Sequence, residues 1–321
     1  MPFDRVNAWL LLLNNDLEGP MVEQIERSSH DMVVLDFLPS QLAQTAYPMA
    51  ATVARLKRKP DGGRRLVVAY LNVGQAEDYR SYWGKGWRVG RPAWILGDDP
   101  NGWQGNFPVA YWRPEWRAIV GGLAREMAAA GFDAAYLDWV GGFEDDAVIA
   151  QAKRDGVDAQ AEMAALVAHV RAQAKSIAPG FRLIGQNAAT LLSRQDYVAA
   201  IDAVAQESIW YTWGGGEGGP EGDCPVPRTH AEAESQAFVK GLPPACRRAR
   251  ASDRFSQMRF AGEEAFLPGL RLAQAAGKTI FTVDYAMSPS NRQIAASKSR
   301  ALSFVPFLGR KNLSSFEPPA P

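Results

Sequence analysis

The stretch "FDAAYLDWVGGFED", residues 132–145, joins an apolar run, Ala134-Ala135-Tyr136-Leu137, to a carboxylate, Asp138, and then breaks into Trp139, Gly141 and Gly142. A buried strand tolerates a charge at its end only if that charge is paired, exposed or in use. The same pattern recurs along the chain. Apolar runs that predict strands fall at 8–13, 32–37, 65–73, 134–139, 182–187, 203–208, 279–285 and 303–308. Amphipathic stretches separate them. Residues 114–130 open on Pro114-Glu115 and close at Gly131, and residues 158–177 place Met163, Leu166, Val167, Val170, Ala174 and Ile177 on one face. Helices are also expected over 257–276, ending at Gly277, and over 289–300, after Ser288-Pro289.

Eight strands alternating with helices, without a long polar linker, predict a single (β/α)8 TIM barrel over residues 1–321. A doubly wound open sheet is the alternative, but no Gly-rich dinucleotide fingerprint follows the first strand. The excess length lies in segments 75–112 and 209–256, after the third and sixth strands. These long loops, rich in Gly, Pro and Trp, belong on the C-terminal face, where such barrels build their sites.

The strand ends carry the chemistry. In order they present Asp36; Gln75 and Glu77; Asp138; Gln186 and Asn187; Glu207; and Asp284 with Tyr285. Polar residues serving solubility alone would be scattered over helix exteriors. Any one of these acids read singly is a cap or an ion pair, but together they converge on one face. Paired carboxylates suit glycoside hydrolysis, one protonating the leaving oxygen and the other attacking carbon or activating water. Amides and the hydroxyls of Tyr79, Tyr211 and Tyr285 suit sugar hydroxyls. Of ten tryptophans, seven lie between positions 83 and 139. Most are expected in the core, whereas Trp83, Trp103, Trp139 and Trp213 are placed to stack on sugar faces.

Composition removes other classes. Lys+Arg and Asp+Glu balance at 35 each, so the net charge gives no argument for nucleic acid or an anionic membrane. No apolar run reaches a membrane span, and the short run Ala8–Leu13 does not have the form of a signal peptide. His30, His169 and His230 lie far apart, outside any nucleophile motif, and Cys with His is too sparse for a zinc site. A hard cation between Asp36, Asp138 and Glu207 is conceivable, but an acid/base pair explains the same carboxylates more simply; no metal and no cofactor is expected. The only cysteines, Cys224 and Cys246, share one polar loop, so a disulfide there is expected in an oxidising compartment.

Several motifs resemble those of glycoside hydrolase family 114, the endo-α-1,4-polygalactosaminidases. They are "YLNVGQAEDYRSYW" (70–83), "GFDAAYLDWVGGFE" (131–144), "IGQNAATLL" (184–192), "IDAVAQESIWYTW" (201–213) and "TVDYA" (282–286). The resemblance runs from about residue 8 to 313 and implies a (β/α)8 barrel that cleaves α-1,4-linked galactosamine or N-acetylgalactosamine exopolysaccharide. It implies Asp138 as nucleophile and Glu207 as general acid/base of a retaining mechanism, in a cleft walled partly by Trp210. Two positions depart from the family pattern, which has Glu where Gln75 stands and an acid where Gly141 stands. Both departures remove negative charge, which would favour an acetylated or neutral sugar. Gly141 and Gly142 are expected to turn the chain past Asp138 without crowding a polymer. A hydrolase of another α-linked glycan and a non-catalytic carbohydrate-binding barrel stand as alternatives. The implied setting is a secreted or periplasmic monomer whose only partner is the polysaccharide.

Overall fold

A computed structural model describes residues 2–214, 219–253 and 256–321. Its main sheet has eight parallel strands: β1 Trp9–Leu12, β2 Met32–Asp36, β3 Leu66–Asn72, β4 Ala134–Asp138, β5 Arg182–Gln186, β6 Ala203–Glu207, β7 Thr279–Asp284 and β8 Val305–Leu308. They lie side by side in chain order. The ring is closed between β8 and β1 by side-chain and loop bonds. The Trp9 indole N–H donates to the Val305 carbonyl at 3.1 Å, and the Leu13 N–H donates to the Leu313 carbonyl at 2.9 Å. The fold is the predicted (β/α)8 barrel, and strand bounds agree within two residues of expectation.

The strands are nearly continuous apolar runs because both faces are covered, by the barrel interior and by the helices. Trp9 packs against Tyr136, Phe281 and Phe307 with ring centroids 5.3–6.3 Å apart, which marks these four residues as interior. The period-2 rule then assigns the rest. On β4, Asp138 shares the inner face with Tyr136. On β7, Val283 is interior, and Asp284 points outward to the helix layer. Register carries the assignment across the sheet, because Tyr70 pairs with Tyr136, Asn72 with Asp138, Asp36 with Tyr70 and Glu207 with Val283.

The helices are α1 Gly19–Glu26, α2 Met49–Leu56, α3 Pro114–Ala129, α4 Asp146–Asp155, α5 Ala159–Ile177, α6 Gln195–Ala200, α7 His230–Glu234, α8 Gln236–Gly241, α9 Pro244–Ser252, α10 Gly262–Ala275 and α11 Pro289–Ala301. Side-chain caps fix several starts. Asp145 accepts from the N–H groups of Ala147 and Val148, and Asp158 from those of Gln160 and Ala161. The helix expected over 257–276 begins later, at Gly262. Its predicted first turn is a separate 3-10 turn, Gln257–Arg259, capped by Ser256.

Both long loops stand where expected. The loop after β3 carries a small antiparallel pair, Gln75–Glu77 with Asn106–Pro108. The loop after β6 holds α7, α8 and α9 around a small core of its own, Cys224, Leu242, Cys246, Ala249 and Met258. Cys224 and Cys246 form the expected disulfide, with Cα atoms 5.5 Å apart. Among the described residues, no helix is long and apolar enough to cross a membrane.

Candidate active site

The barrel mouth is shaped by strand ends that turn abruptly. The residues just past β4, β5 and β6 adopt left-handed backbone although none is glycine: Trp139 at φ 58°, Asn187 at 58°, Ala188 at 55° and Ser208 at 56°. Such conformations cost on the order of 1 kcal/mol each and cluster where function demands a particular direction of chain. The chain past Asp138 turns differently from expectation. The turn past Asp138 is made by Trp139 itself, and neither Gly141 nor Gly142 has a positive φ. A Cβ at Gly142 would make ordinary contact with the Trp139 and Tyr111 rings, and one at Gly141 would meet open space. The glycine that the turn does require is Gly74, where a Cβ would stand 2.4 Å from the Trp139 carbonyl oxygen.

Two carboxylates face the mouth. Asp138 ends β4, where Oδ2 accepts from the Tyr70 hydroxyl at 2.6 Å and Oδ1 from the Trp139 N–H at 2.7 Å. Glu207 ends β6, where Oε1 accepts a short bond from the Tyr285 hydroxyl and Oε2 accepts from the Asn187 amide at 2.9 Å. The Asn187 Oδ1 in turn receives the Glu207 N–H and the Gln206 side-chain amide, both at 3.0 Å. Both carboxylates remain partly exposed. Burial among barrel side chains pushes the Asp138 carboxyl up to about 7, the nearby Glu207 charge adds to the rise, and the Tyr70 hydroxyl opposes it. The Tyr70, Tyr136 and Tyr285 hydroxyls are held well above their usual range by burial and by these acids, so they remain protonated donors. The Tyr136 hydroxyl is buried on the same inner face and has no protein partner.

Other predicted residues lie deeper. Asp36 and Glu77 are 6% and 3% exposed, and Arg80 binds both, with Nη1 on Asp36 at 2.7 Å and Nε on Glu77 at 2.6 Å. Gln41 completes Asp36, and the Tyr79 hydroxyl completes Glu77 at 2.8 Å. Gln75 is fully buried. Its oxygen accepts from Asn72 and Asn106 and its amide donates to Asp99 at 2.6 Å, so it supports the cleft from beneath and does not meet a sugar at the surface. Gln186 is buried, and its amide oxygen has no protein partner. Asp284 is also sealed, and its Oδ1 accepts the N–H groups of Trp210 and Tyr211 at 2.7 and 3.0 Å. Burial pushes its carboxyl up to about 7, against the opposing pull of those backbone bonds. Asp284 thus anchors the loop after β6 from outside the barrel, as its strand parity requires.

The aromatic residues divide. Trp94 and Trp116 are core. Trp210, expected to wall the cleft, instead points into the helix layer, where its indole N–H donates to Ser299 at 2.9 Å and Lys298 lies over its ring. Trp83 stacks on Phe107 with centroids 5.1 Å apart and meets Trp87 edge-on. Trp139 and Tyr211 are partly exposed at the mouth. Trp103, 40% exposed, meets Trp213 edge-on with centroids 6.3 Å apart. A separate open depression of about 440 Å³ lies beside β1 and α1, lined by Asn14, Asp16 and Gln24 among others; neither Asp138 nor Glu207 borders it. Among the described residues, no group of three or more His, Cys, Asp or Glu is arranged to hold a metal ion.

Sequence reasoning missed Tyr70, Tyr136, Arg80, Asn72 and Asp99. Tyr70 and Tyr136 could have been found, because each stands two residues before a polar strand end and so shares its face. Arg80 lies within a quoted motif, yet nothing local says that it reaches Asp36, 44 positions away.

A parallel barrel whose mouth holds two tyrosine-anchored carboxylates has the form of a glycoside hydrolase. The model of glycoside-hydrolase family GH114 matches residues 22–318, and the chain belongs to that family. A protein of Deinococcus radiodurans is 34% identical over 289 residues, covering 90% of this chain and 76% of that one. The glycoside hydrolase domain of PelA from Pseudomonas aeruginosa shares the fold with a TM-score of 0.62 at 18% identity, over 97% of both chains. Ega3 of Aspergillus fumigatus, solved in complex with galactosamine, follows with a TM-score of 0.59 at 14% identity, over 97% of this chain and 94% of that one.

Proposed function

We propose that this glycoside hydrolase cuts within α-1,4-linked galactosamine or N-acetylgalactosamine polysaccharide by a retaining, two-carboxylate mechanism. The observation that carries the reading is the pair itself. Asp138 and Glu207 are the two strand-end acids that keep an exposed edge and interact electrostatically, and each is held by its own tyrosine. In this mechanism an ionised Asp138 attacks the anomeric carbon while a protonated Glu207 gives its proton to the leaving oxygen, so the proton that the two facing acids share must sit on Glu207 when the bond breaks. Glu207 then takes a proton from water, which breaks the glycosyl–Asp138 ester with a second inversion and net retention. The bonds from Tyr70 and Trp139 leave Asp138 aimed and partly stabilised as a carboxylate. The choice of sugar rests on the motif resemblance and on the galactosamine in the Ega3 structure.

A second reading, a hydrolase of another α-linked glycan, is favoured by the departure at Gly141, where the space is open to a bulkier substituent. The disulfide fits a secreted or periplasmic setting, where it would survive, and the catalytic unit would act as a single-domain monomer. The test is mass spectrometry of products from defined α-1,4-linked galactosamine and N-acetylgalactosamine oligomers. Wild type should shorten them and Asp138→Asn should leave them intact; intact oligomers in both cases would contradict the reading.

A further inference from the structure

Trp103, Trp213 and Lys311 come from three loops, those following β3, β6 and β8. In the strand order, β3 and β6 are separated by β4 and β5, while β3 and β8 are separated by β1 and β2. A contact among these loops therefore reaches across the barrel mouth from opposite sides. The contact is close. The indoles meet edge to face with centroids 6.3 Å apart, and the Lys311 ammonium lies 5.1 Å from the Trp103 centroid and 4.2 Å from that of Trp213.

Each arm is held from behind. Asp99 accepts the Trp103 N–H and is itself tied to the buried Gln75. Trp213 follows the short strand Tyr211–Thr212, which pairs with Cys224–Pro225 at the disulfide. The Lys311 N–H donates to the Glu221 carbonyl at 3.0 Å. Burial pulls the Lys311 ammonium below the usual lysine range, the carboxylates of Glu221 and Asp253 oppose that pull, and Glu221 is shared with Arg310 at 3.6 Å.

We propose that Trp103, Trp213 and Lys311 form an outer sugar subsite across the mouth that selects N-acetylated hexosamine over free-amine hexosamine. The inference rests on the polysaccharide reading above and names the substrate form its rim accepts. Indole faces bind a pyranose through its apolar C–H surface, and cations also seek those faces. Here the chain's own ammonium already occupies the pair, tethered and thus at high local concentration. An incoming sugar ammonium meets a like charge at that place. An acetamido group is neutral, and its carbonyl accepts a bond from Lys311.

The experiment measures binding of fully N-acetylated and fully deacetylated α-1,4-galactosamine oligomers by tryptophan fluorescence and calorimetry. It uses the full chain as wild type and as Lys311→Met, which keeps the apolar stem. Wild type is expected to prefer the acetylated oligomer by about tenfold at low salt, the scale of one like-charge contact near a surface. Lys311→Met should reduce that ratio severalfold, chiefly through tighter binding of the deacetylated oligomer. An unchanged ratio in the variant, or a wild-type preference for the free amine, overturns the subsite. Hydrolysis is assayed alongside. Cleavage with an unchanged ratio overturns the subsite alone, whereas the expected ratio without cleavage overturns the hydrolytic reading and leaves the subsite standing. Absence of binding by either oligomer overturns both.

Discussion

The Tyr70 hydroxyl lies 2.6 Å from Oδ2 of Asp138, and the two residues belong to neighbouring strands whose inner faces are in register. A hydrogen bond to a charged group contributes roughly 1.5–3 kcal/mol. This bond favours the ionised form of Asp138, against burial and Glu207, which hold the carboxyl up at about 7.

A nucleophile must be ionised, so activity should be lost as pH falls through the Asp138 value near 7. Removing the bond with Tyr70→Phe should move that acid limb to higher pH and lower the rate at pH 7 about tenfold or more. Measuring kcat/KM from pH 5 to 9 in both proteins tests this. An acid limb that stays in place, or moves to lower pH, would remove Tyr70 from the account.

Stability should respond to pH through Asp284. Its folded carboxyl is raised to about 7 and its unfolded one is ordinary, so between these values the folded state holds the extra proton. Stability from this group is therefore lost as pH rises through that window, by an amount on the order of 4 kcal/mol. Asp284→Asn keeps the Oδ1 acceptor for Trp210 and Tyr211 but cannot ionise. Its melting temperature relative to wild type should be higher at pH 8 than at pH 4. Equal differences at both values would contradict this.

The Asp36–Arg80–Glu77 group is sealed, with side chains 4–7% exposed. Arg80→Met leaves two buried carboxylates facing each other, which should cost roughly 3–5 kcal/mol. Urea unfolding measures it, and a loss below about 1 kcal/mol would mean that water or another cation reaches the acids.

Gly74→Ala would drive a Cβ against the Trp139 carbonyl, a rigid backbone atom. A loss of roughly 1–3 kcal/mol is expected, with a larger proportional loss of activity because Trp139 N–H is a bond to Asp138. Denaturation and hydrolysis assays on the same sample separate the two effects.

Much of this was legible in the sequence because it is local. Apolar runs and the residues ending them, Asp138 and Glu207 among them, follow from strand period and barrel geometry. So did the Cys224–Cys246 bond, since both cysteines share one loop. What was not legible depends on distant chain. Gln75 and Asp284 have the composition of site residues, yet their partners Asp99 and Trp210 draw them beneath the surface or outward. Trp210 looked like a cleft wall because it follows Glu207 closely, but its indole finds Ser299, 89 residues away. The sequence points to the neighbouring glycines for the turn at Trp139 because a left-handed tryptophan is costly, and only the surrounding fold can impose it.

If Asp138 and Glu207 hydrolyse a glycosidic bond with retention, the configuration of the newly released reducing end is fixed by that chemistry. Proton NMR of the first products from an α-1,4-linked galactosamine oligomer reads that configuration before the free anomers equilibrate. The α-anomer should appear first from wild type, and Asp138→Asn should give no reaction. The β-anomer first, or undiminished cleavage by Asp138→Asn, would contradict that chemistry.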